Sequence, residues 1–158
     1  MKEPCSDGSS QELAHSKKRI KRYYNAFPNV VFVPGNHDVR YIVRAKEQGI
    51  GVEFLKPIDE LLEFPKTWKL AEDEIILNDV LYKHGINCLG KDGALNTAIS
   101  ERMSTVIGHS HSFGGCKYSA NKRDIIFGLN VGCGIDIDAY AFAYGKYDKN
   151  RPTLGSVS

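Results

Sequence analysis

An apolar run, Val30-Val31-Phe32-Val33-Pro34, stops at the polar sequence Gly35-Asn36-His37-Asp38, and this junction constrains the fold more than any other feature. The run is rich in β-branched and aromatic residues, and proline lies on both sides of it. Such a pattern predicts a buried strand that ends in a tight turn. We therefore expect one amide, one imidazole and one carboxylate side chain to be presented together where this strand ends.

The same arrangement occurs twice more along the chain. Thr105–Ile107 predicts a short strand that leads into Gly108-His109-Ser110-His111, and a strand-like stretch also precedes His84-Gly85. In an extended segment alternate residues share a face, so His109 and His111 would point the same way. Gly108 would let another group approach the backbone closely.

Four of the five histidines thus follow predicted strands close to glycine, and only His15 does not. A single histidine of this kind is most simply a hydrogen-bonded loop residue, but the set favours a shared metal site. Imidazole nitrogens combined with an amide oxygen suit Mn, Fe, Ni or Zn, and such ions activate water and polarise phosphoryl groups. Asp38 beside His37 would raise the imidazole pKa and help His37 to donate a proton to a leaving alkoxide. The candidate residues are Asn36, His37, Asp38, His84, His109 and His111.

Composition narrows the class of protein. With 158 residues, of which 42% are apolar and 25% charged, the chain can bury one core, and we expect a single domain over 1–158 with residues 1–8 disordered. The net charge of +2 is too small to argue for nucleic acid or membrane as a partner. Four cysteines without CxxC spacing, and no apolar run of membrane length, predict a cytoplasmic protein with reduced thiols.

Local patterns predict mixed helices and strands. Ser9 and Glu12 have capping-box spacing, which predicts a helix start. This helix should end near Ala26, before Pro28, and its apolar face is formed by Leu13, Ile20, Tyr24 and Phe27. A helix that runs into a buried strand is half of a βαβ unit, yet no strand precedes this helix.

Further helices are predicted before Gly49, over 57–62 and around 95–103. Further strands are predicted over 67–70, 74–77, 80–83, 139–146 and 153–157. Asn78-Asp79 would form the turn of a hairpin over 74–83, and a second hairpin is predicted over 118–127.

The sequence leaves open the roles of one tryptophan and of two aspartates. Trp68 is best explained by packing, with substrate stacking as the alternative. Asp136 and Asp138 alternate in an extended stretch and are either solvent-facing carboxylates, the simpler interpretation, or metal ligands.

The motifs GNHD (35–38), HG (84–85) and GHSH (108–111), in that order, closely resemble the last three motifs of the calcineurin-like metallophosphoesterases, especially members from phages and bacteria. The resemblance covers about 9–158 and implies a four-layer α/β/β/α sandwich. It also implies two-metal hydrolysis of phosphomonoesters or phosphodiesters, with nucleotides or nucleic acid among the candidate substrates. Carried over by motif, Asn36, His84 and His109 would hold one metal, His111 would belong to the second, and His37, oriented by Asp38, would protonate the leaving group.

Members of that family begin with an Asp-x-His motif and a Gly-Asp motif, and this chain contains neither in a matching position. We therefore expect an N-terminally incomplete version of the fold. One missing stretch would account both for the absent first strand of the βαβ unit and for the absent motifs. Two divalent ions at the spacing of such a centre repel by on the order of 20 kcal/mol at an effective dielectric of 20. The retained ligands are all neutral, so we expect this chain alone to bind one ion weakly at most.

Three hypotheses follow. The chain is a phosphoesterase, either truncated or one part of a split enzyme whose partner chain supplies the missing strands. Alternatively it is a catalytically inactive remnant that binds a metal or a partner through an open sheet edge. A mononuclear metal-binding protein without hydrolytic function is the third.

Overall fold

The computed structural model describes residues 8–134, 153 and 155. They belong to two compact units that divide between Glu72 and Asp73. Helices and strands occur in both units, so the predicted mixed α/β class is confirmed.

The first unit is built around a parallel pair of short strands. Its elements are α1 (Gly8–Ala26), β1 (Val30–Phe32), α2 (Arg40–Glu47), a 3₁₀ turn (Val52–Phe54), α3 (Ile58–Leu62) and β2 (Trp68–Leu70). Val30 lies opposite Trp68, and Phe32 lies opposite Leu70. Parallel neighbours need a long crossover, and here residues 33–67, with α2 and α3, provide it. The described partner of β1 therefore comes after it in the chain. A βαβ unit that includes α1 would instead need a strand before this helix.

Aromatic side chains form the packed centre of the first unit. Trp68 lies edge-on to Tyr24, with ring centroids 4.8 Å apart, and to Phe64 at 5.4 Å. Phe32 on β1 contacts the same Phe64 at 5.3 Å. The indole N–H of Trp68 donates to the carbonyl of Phe27 at 2.8 Å. Such edge-to-face contacts are the favoured geometry for aromatic pairs, and the packing interpretation of Trp68 is confirmed.

One residue of the predicted apolar face of α1 is exposed. Leu13, Ile20 and Tyr24 are half-buried as predicted, but Phe27 is 53% exposed and stacks on Tyr23. Phe27 directly follows the last residue of α1, and its N–H still donates to the carbonyl of Tyr23 at 2.8 Å.

The second unit contains a five-stranded mixed sheet. Its elements are β3 (Glu74–Leu77), β4 (Val80–Lys83), α4 (Gly93–Glu101), β5 (Ser104–Ile107), β6 (Gly115–Ala120) and β7 (Ile125–Asn130). The strand order is β3-β4-β5-β7-β6. The three central strands β4, β5 and β7 are parallel, and β3 and β6 pair antiparallel at the two edges.

Turn residues account for the two edge hairpins. Asn78 and Asp79 both have positive φ, 52° and 60°, as a tight two-residue hairpin between β3 and β4 requires. Residues 121–124 form the turn between β6 and β7, where the side chain of Asn121 accepts the N–H groups of Arg123 and Asp124. Both hairpins were predicted from the sequence, although β7 continues to Asn130, beyond the expected end.

The core of the second unit lies where α4 packs on the sheet. Ala98 and Ile107 are 0% and 1% exposed, and Leu81 is 3% exposed. Gly128 on β7 permits this contact, because a Cβ there would lie 2.2 Å from the backbone nitrogen of Leu95. A larger residue at 128 would therefore push α4 off the sheet.

Several predictions fall outside the described residues. They are residues 1–7 of the segment 1–8 that was predicted to be disordered, the strand over 139–146, most of the strand over 153–157, and the carboxylates of Asp136 and Asp138. Gly8, the last residue of the predicted disordered segment, begins α1 and so departs from that prediction. Thr153 and Gly155 are described, and their backbones pair with Cys133 at 3.0 and 3.2 Å. Among the described helices, none has the length and apolar character needed to cross a membrane.

Candidate metal centre

Two candidate ligands follow neighbouring parallel strands. β4 and β5 run side by side with Lys83 opposite Ile107, so His84 and Gly108 leave the sheet at the same edge. The N–H of Gly108 donates to the carbonyl of His84 at 3.2 Å, which continues the pairing past the strand ends. The carboxyl ends of parallel strands are a common position for binding sites.

The structure brings His84 and His109 into direct contact. His84 Nε2 and His109 Nδ1 lie 2.9 Å apart, and the rings meet edge-on with centroids 4.9 Å apart. Both side chains are half-buried. This separation suits an imidazole–imidazole hydrogen bond. It equally suits two ligands of one ion, because two metal–nitrogen bonds of about 2.1 Å at a right angle place the nitrogens about 3 Å apart.

Gly85 explains why a glycine follows His84. Its φ is +87°, a backbone conformation that side chains disfavour, and a Cβ there would lie 2.9 Å from the Cβ of Ile107. Among the described residues no group makes the close approach expected at Gly108, because a Cβ at 108 would make an ordinary contact of 3.4 Å with Val131. Of the two glycines, it is therefore Gly85, after His84, whose replacement by a larger residue would be strained.

His111 does not follow the strand alternation that the sequence suggested. β5 ends at Ile107, so neither His109 nor His111 lies in the strand, and alternation does not determine where they point. His111 is exposed, whereas His109 is half-buried. The backbone at 111 is anchored, since its carbonyl accepts the N–H of Thr153 at 2.6 Å and the thiol of Cys133 at 3.8 Å.

The GNHD residues form the predicted turn after β1. The N–H groups of Asp38 and Val39 both donate to the carbonyl of Gly35, at 3.0 and 3.3 Å, and the chain then enters α2. Asp38 Oδ2 accepts the N–H of Gly35 at 2.7 Å, so the carboxylate closes the turn on itself. Asn36 is half-buried and His37 is exposed to solvent.

The candidate residues are divided between the two units. Asn36, His37 and Asp38 belong to the first unit, and His84, His109 and His111 belong to the second. Over residues 8–134 and at positions 153 and 155, no three or more His, Cys, Asp or Glu side chains are grouped so that they could hold a metal ion. Within the second unit, the imidazoles at 84 and 109 are brought into contact.

A lysine beside the histidine pair carries a balanced charge. Lys83 Nζ pairs with Glu74 Oε2 at 2.8 Å across the β3–β4 hairpin. The hydrogen bond that Lys83 donates to this carboxylate raises the pKa of Lys83 above its ordinary value, and burial opposes the rise. Lys83 therefore stays cationic at neutral pH, with its charge offset by Glu74.

The sequence analysis did not single out Asn130. This residue ends β7 at the edge of the sheet from which His84 and His109 emerge, and it is only 6% exposed. The available signal was an asparagine after the apolar stretch Ile125–Leu129, with Gly132 close behind. The hairpin predicted over 118–127 ends at Phe127, so Asn130 lies outside the predicted strand.

Comparison of the chain with models of protein families, with curated proteins and with solved structures finds no match.

Proposed function

We propose that this chain carries part of the active site of a metal-dependent phosphoesterase that hydrolyses phosphomonoesters or phosphodiesters. The observation that supports the proposal most is the 2.9 Å contact between the ring nitrogens of His84 and His109 at the carboxyl ends of adjacent parallel strands. Two neutral imidazoles in this geometry are a suitable donor pair for Mn, Fe, Ni or Zn.

In this proposal the candidate residues have distinct roles. Asn36, His84 and His109 hold one ion, and His111 belongs to the site of a second. A divalent metal there would polarise a phosphoryl oxygen and lower the pKa of bound water. His37, exposed at its turn, donates a proton to the leaving alkoxide. Asp38 positions His37 by accepting the N–H of Gly35, which fixes the turn that carries both side chains.

The proposed site is incomplete in these 158 residues. Every proposed ligand is neutral, and the sequence has no Asp-x-His motif to supply a carboxylate that bridges two ions. Because two divalent charges repel each other, we expect the chain alone to bind one ion weakly and to show little or no turnover. A second chain that carries the Asp-x-His and Gly-Asp strands is the proposed partner.

Hydrolysis assays with and without such a partner test the proposal. The chain is assayed with Mn²⁺ against p-nitrophenyl phosphate and bis(p-nitrophenyl) phosphate, alone and with a peptide that carries both missing motifs. We expect turnover near background for the chain alone and a clear rise with the peptide. The substitution His37→Ala should lower the restored rate by about 10²–10⁴-fold, the usual contribution of a proton donor, while Mn²⁺ binding persists.

His15→Ala is the matched control, because His15 is an exposed histidine on α1 outside every motif. It should leave the restored rate unchanged. If the peptide restores no hydrolysis while Mn²⁺ still binds, the alternative of a metal-binding or partner-binding module replaces the enzyme.

A further inference from the structure

A cavity of about 170 Å³ lies in the second unit, beside the N-terminus of α4. Its walls come from this helix end, from the start of β6 and from the end of β7. The lining groups that matter are the side chains of Lys91, Lys117 and Asn130 and the backbone of Ala94 and Leu95. A water molecule occupies about 30 Å³ in the liquid, so the cavity has room for a polyatomic ion.

The first turn of α4 offers backbone donors to this cavity. Asp92 occupies the N-cap position but makes no side-chain capping bond. The N–H of Gly93 reaches the carbonyl of Gly90, whereas the N–H groups of Ala94 and Leu95 have no acceptor among the described residues. Uncapped N–H groups and the helix dipole make such an end favourable for an anion.

Asn130 supplies a second, independent donor. Because side chains alternate along a strand, Asn130 lies on the same face of β7 as Gly128, which is the face that contacts α4. Its Oδ1 accepts the N–H of Gly132 at 3.1 Å. The amide nitrogen is then left without an acceptor in the described part of the chain, although the residue is only 6% exposed. Asn130 lines the cavity, so this N–H₂ group is a donor available to a bound acceptor.

The charges of the cavity are positive on balance. Lys117 Nζ pairs with Asp92 Oδ1, and Lys91 adds a second ammonium group with an exposed side chain. Two lysines against one aspartate leave one net positive charge next to the helix end. Lysine ammonium groups, backbone N–H groups and an amide N–H₂ are all donors, so a ligand that offers several acceptors suits this cavity.

We propose that this cavity binds a phosphate group, either free inorganic phosphate or the terminal phosphate of an ester. The proposal stands independently of the proposed phosphoesterase site, since none of its residues is a candidate metal ligand. A tetrahedral oxyanion offers acceptors in several directions at once, which suits donors that converge from a helix end, a strand end and two lysine side chains.

Titration with inorganic phosphate in the presence of EDTA tests the proposal, because chelation removes metal sites as a source of binding. The measurements are calorimetry and the amide NMR shifts of Ala94 and Leu95. Lys91→Ala and Lys117→Ala should each weaken binding by about tenfold or more, the usual effect of losing a hydrogen bond to a charged group. Lys122→Ala removes an exposed lysine in the β6–β7 turn and should change nothing.

Asp92→Asn provides a test that damage to the fold cannot imitate. Asparagine serves equally well at an N-cap, and the change removes the carboxylate that now pairs with Lys117. Phosphate affinity should therefore rise several-fold. Methyl phosphate distinguishes free inorganic phosphate from the terminal phosphate of an ester as the ligand. If methyl phosphate binds as tightly as inorganic phosphate, the ligand is the terminal phosphate of an ester. If it binds much more weakly, the ligand is free phosphate.

Two results would overturn the proposal. One is the absence of any saturable phosphate binding in EDTA. The other is binding that Lys122→Ala weakens as much as Lys91→Ala does, since that pattern describes a diffuse attraction between charges.

Discussion

Gly85 is the residue that sets the path of the chain immediately after a candidate ligand, His84. It meets two separate restrictions, a φ of +87° and a Cβ position only 2.9 Å from the Cβ of Ile107. The first restriction is conformational and the second is steric. Together they explain why the HG pair occurs where β4 leaves the sheet, without reference to chemistry at the histidine.

Gly85→Ala should therefore destabilise the protein by more than the conformational strain alone. A non-glycine residue in the left-handed region costs about 1–2 kcal/mol, and the contact with Ile107 adds to this cost. We expect a total loss of about 2–4 kcal/mol in the free energy of unfolding, measured by urea denaturation.

Gly90→Ala separates the two causes. Gly90 has a similar φ of +79°, but no atom of the described residues lies within 4 Å of a Cβ built there. This control should show the strain alone, about 1–2 kcal/mol. Equal losses for the two variants would mean that the contact with Ile107 contributes nothing.

Individual residues show where the sequence was informative and where it was not. Asn78-Asp79 and Gly35–Asp38 were predicted as turns because their preferences are local, and the structure confirms both. The direction of His109 and His111 was not predictable, since the strand ends two residues before His109 and its end depends on pairing with β4 and β7. Asn130 was missed for the same reason, because sheet neighbours decide how far β7 extends.

Ion pairs link α1 to the end of α3. Glu63 follows α3 and accepts hydrogen bonds from Lys17 at 2.8 Å and Lys21 at 3.1 Å, one helical turn apart on α1. Tyr24 OH donates to the carbonyl of Leu62 at 2.7 Å close by. The hydrogen bonds from the two lysines hold the pKa of Glu63 below its ordinary value.

A carboxylate with a lowered pKa in the folded state stabilises the protein above its unfolded pKa, near 4.3. That contribution is lost as the pH falls below this value and through the folded pKa. Glu63→Gln should therefore reduce stability slightly at pH 7, as expected for exposed pairs, and the difference from wild type should shrink as the pH falls through the folded pKa of Glu63. Urea midpoints between pH 7 and pH 3 measure it.

Glu47→Gln is the control for this titration, because Glu47 pairs with Arg44 within α2 and links no second element. Its effect should be smaller than that of Glu63→Gln at pH 7. A Glu63→Gln difference that stays constant from pH 7 to pH 3 would show that the carboxylate's charge does not stabilise the contact between α1 and α3.

The order of helices and strands was predictable from periodicity and turn residues, but strand pairing was not. β1 carries the apolar run and leads into the GNHD turn that the sequence made prominent, yet its described partner is β2, 38 residues further on by the numbering of the paired residues Val30 and Trp68. Long-range pairing depends on which apolar faces meet after the helices pack, and no local pattern in residues 67–70 specifies it.

At the scale of the whole molecule, the six candidate residues come from both compact units. The GNHD turn lies in the first unit and the three histidines after β4 and β5 lie in the second. The sequence predicted this set through motifs that are far apart in the chain. The second unit brings His84 and His109 together, and the assignment of all six residues to one centre remains a prediction.

Mn²⁺ binding to the purified chain, measured by electron paramagnetic resonance, tests the central claim most directly. Mn²⁺ suits imidazole and amide donors and has little affinity for the thiols. We predict one weakly bound ion per chain, with affinity lowered by about tenfold or more in His84→Ala and in His109→Ala and unchanged in His15→Ala. Two ions per chain, or binding that neither substitution at 84 or 109 affects, would contradict the account.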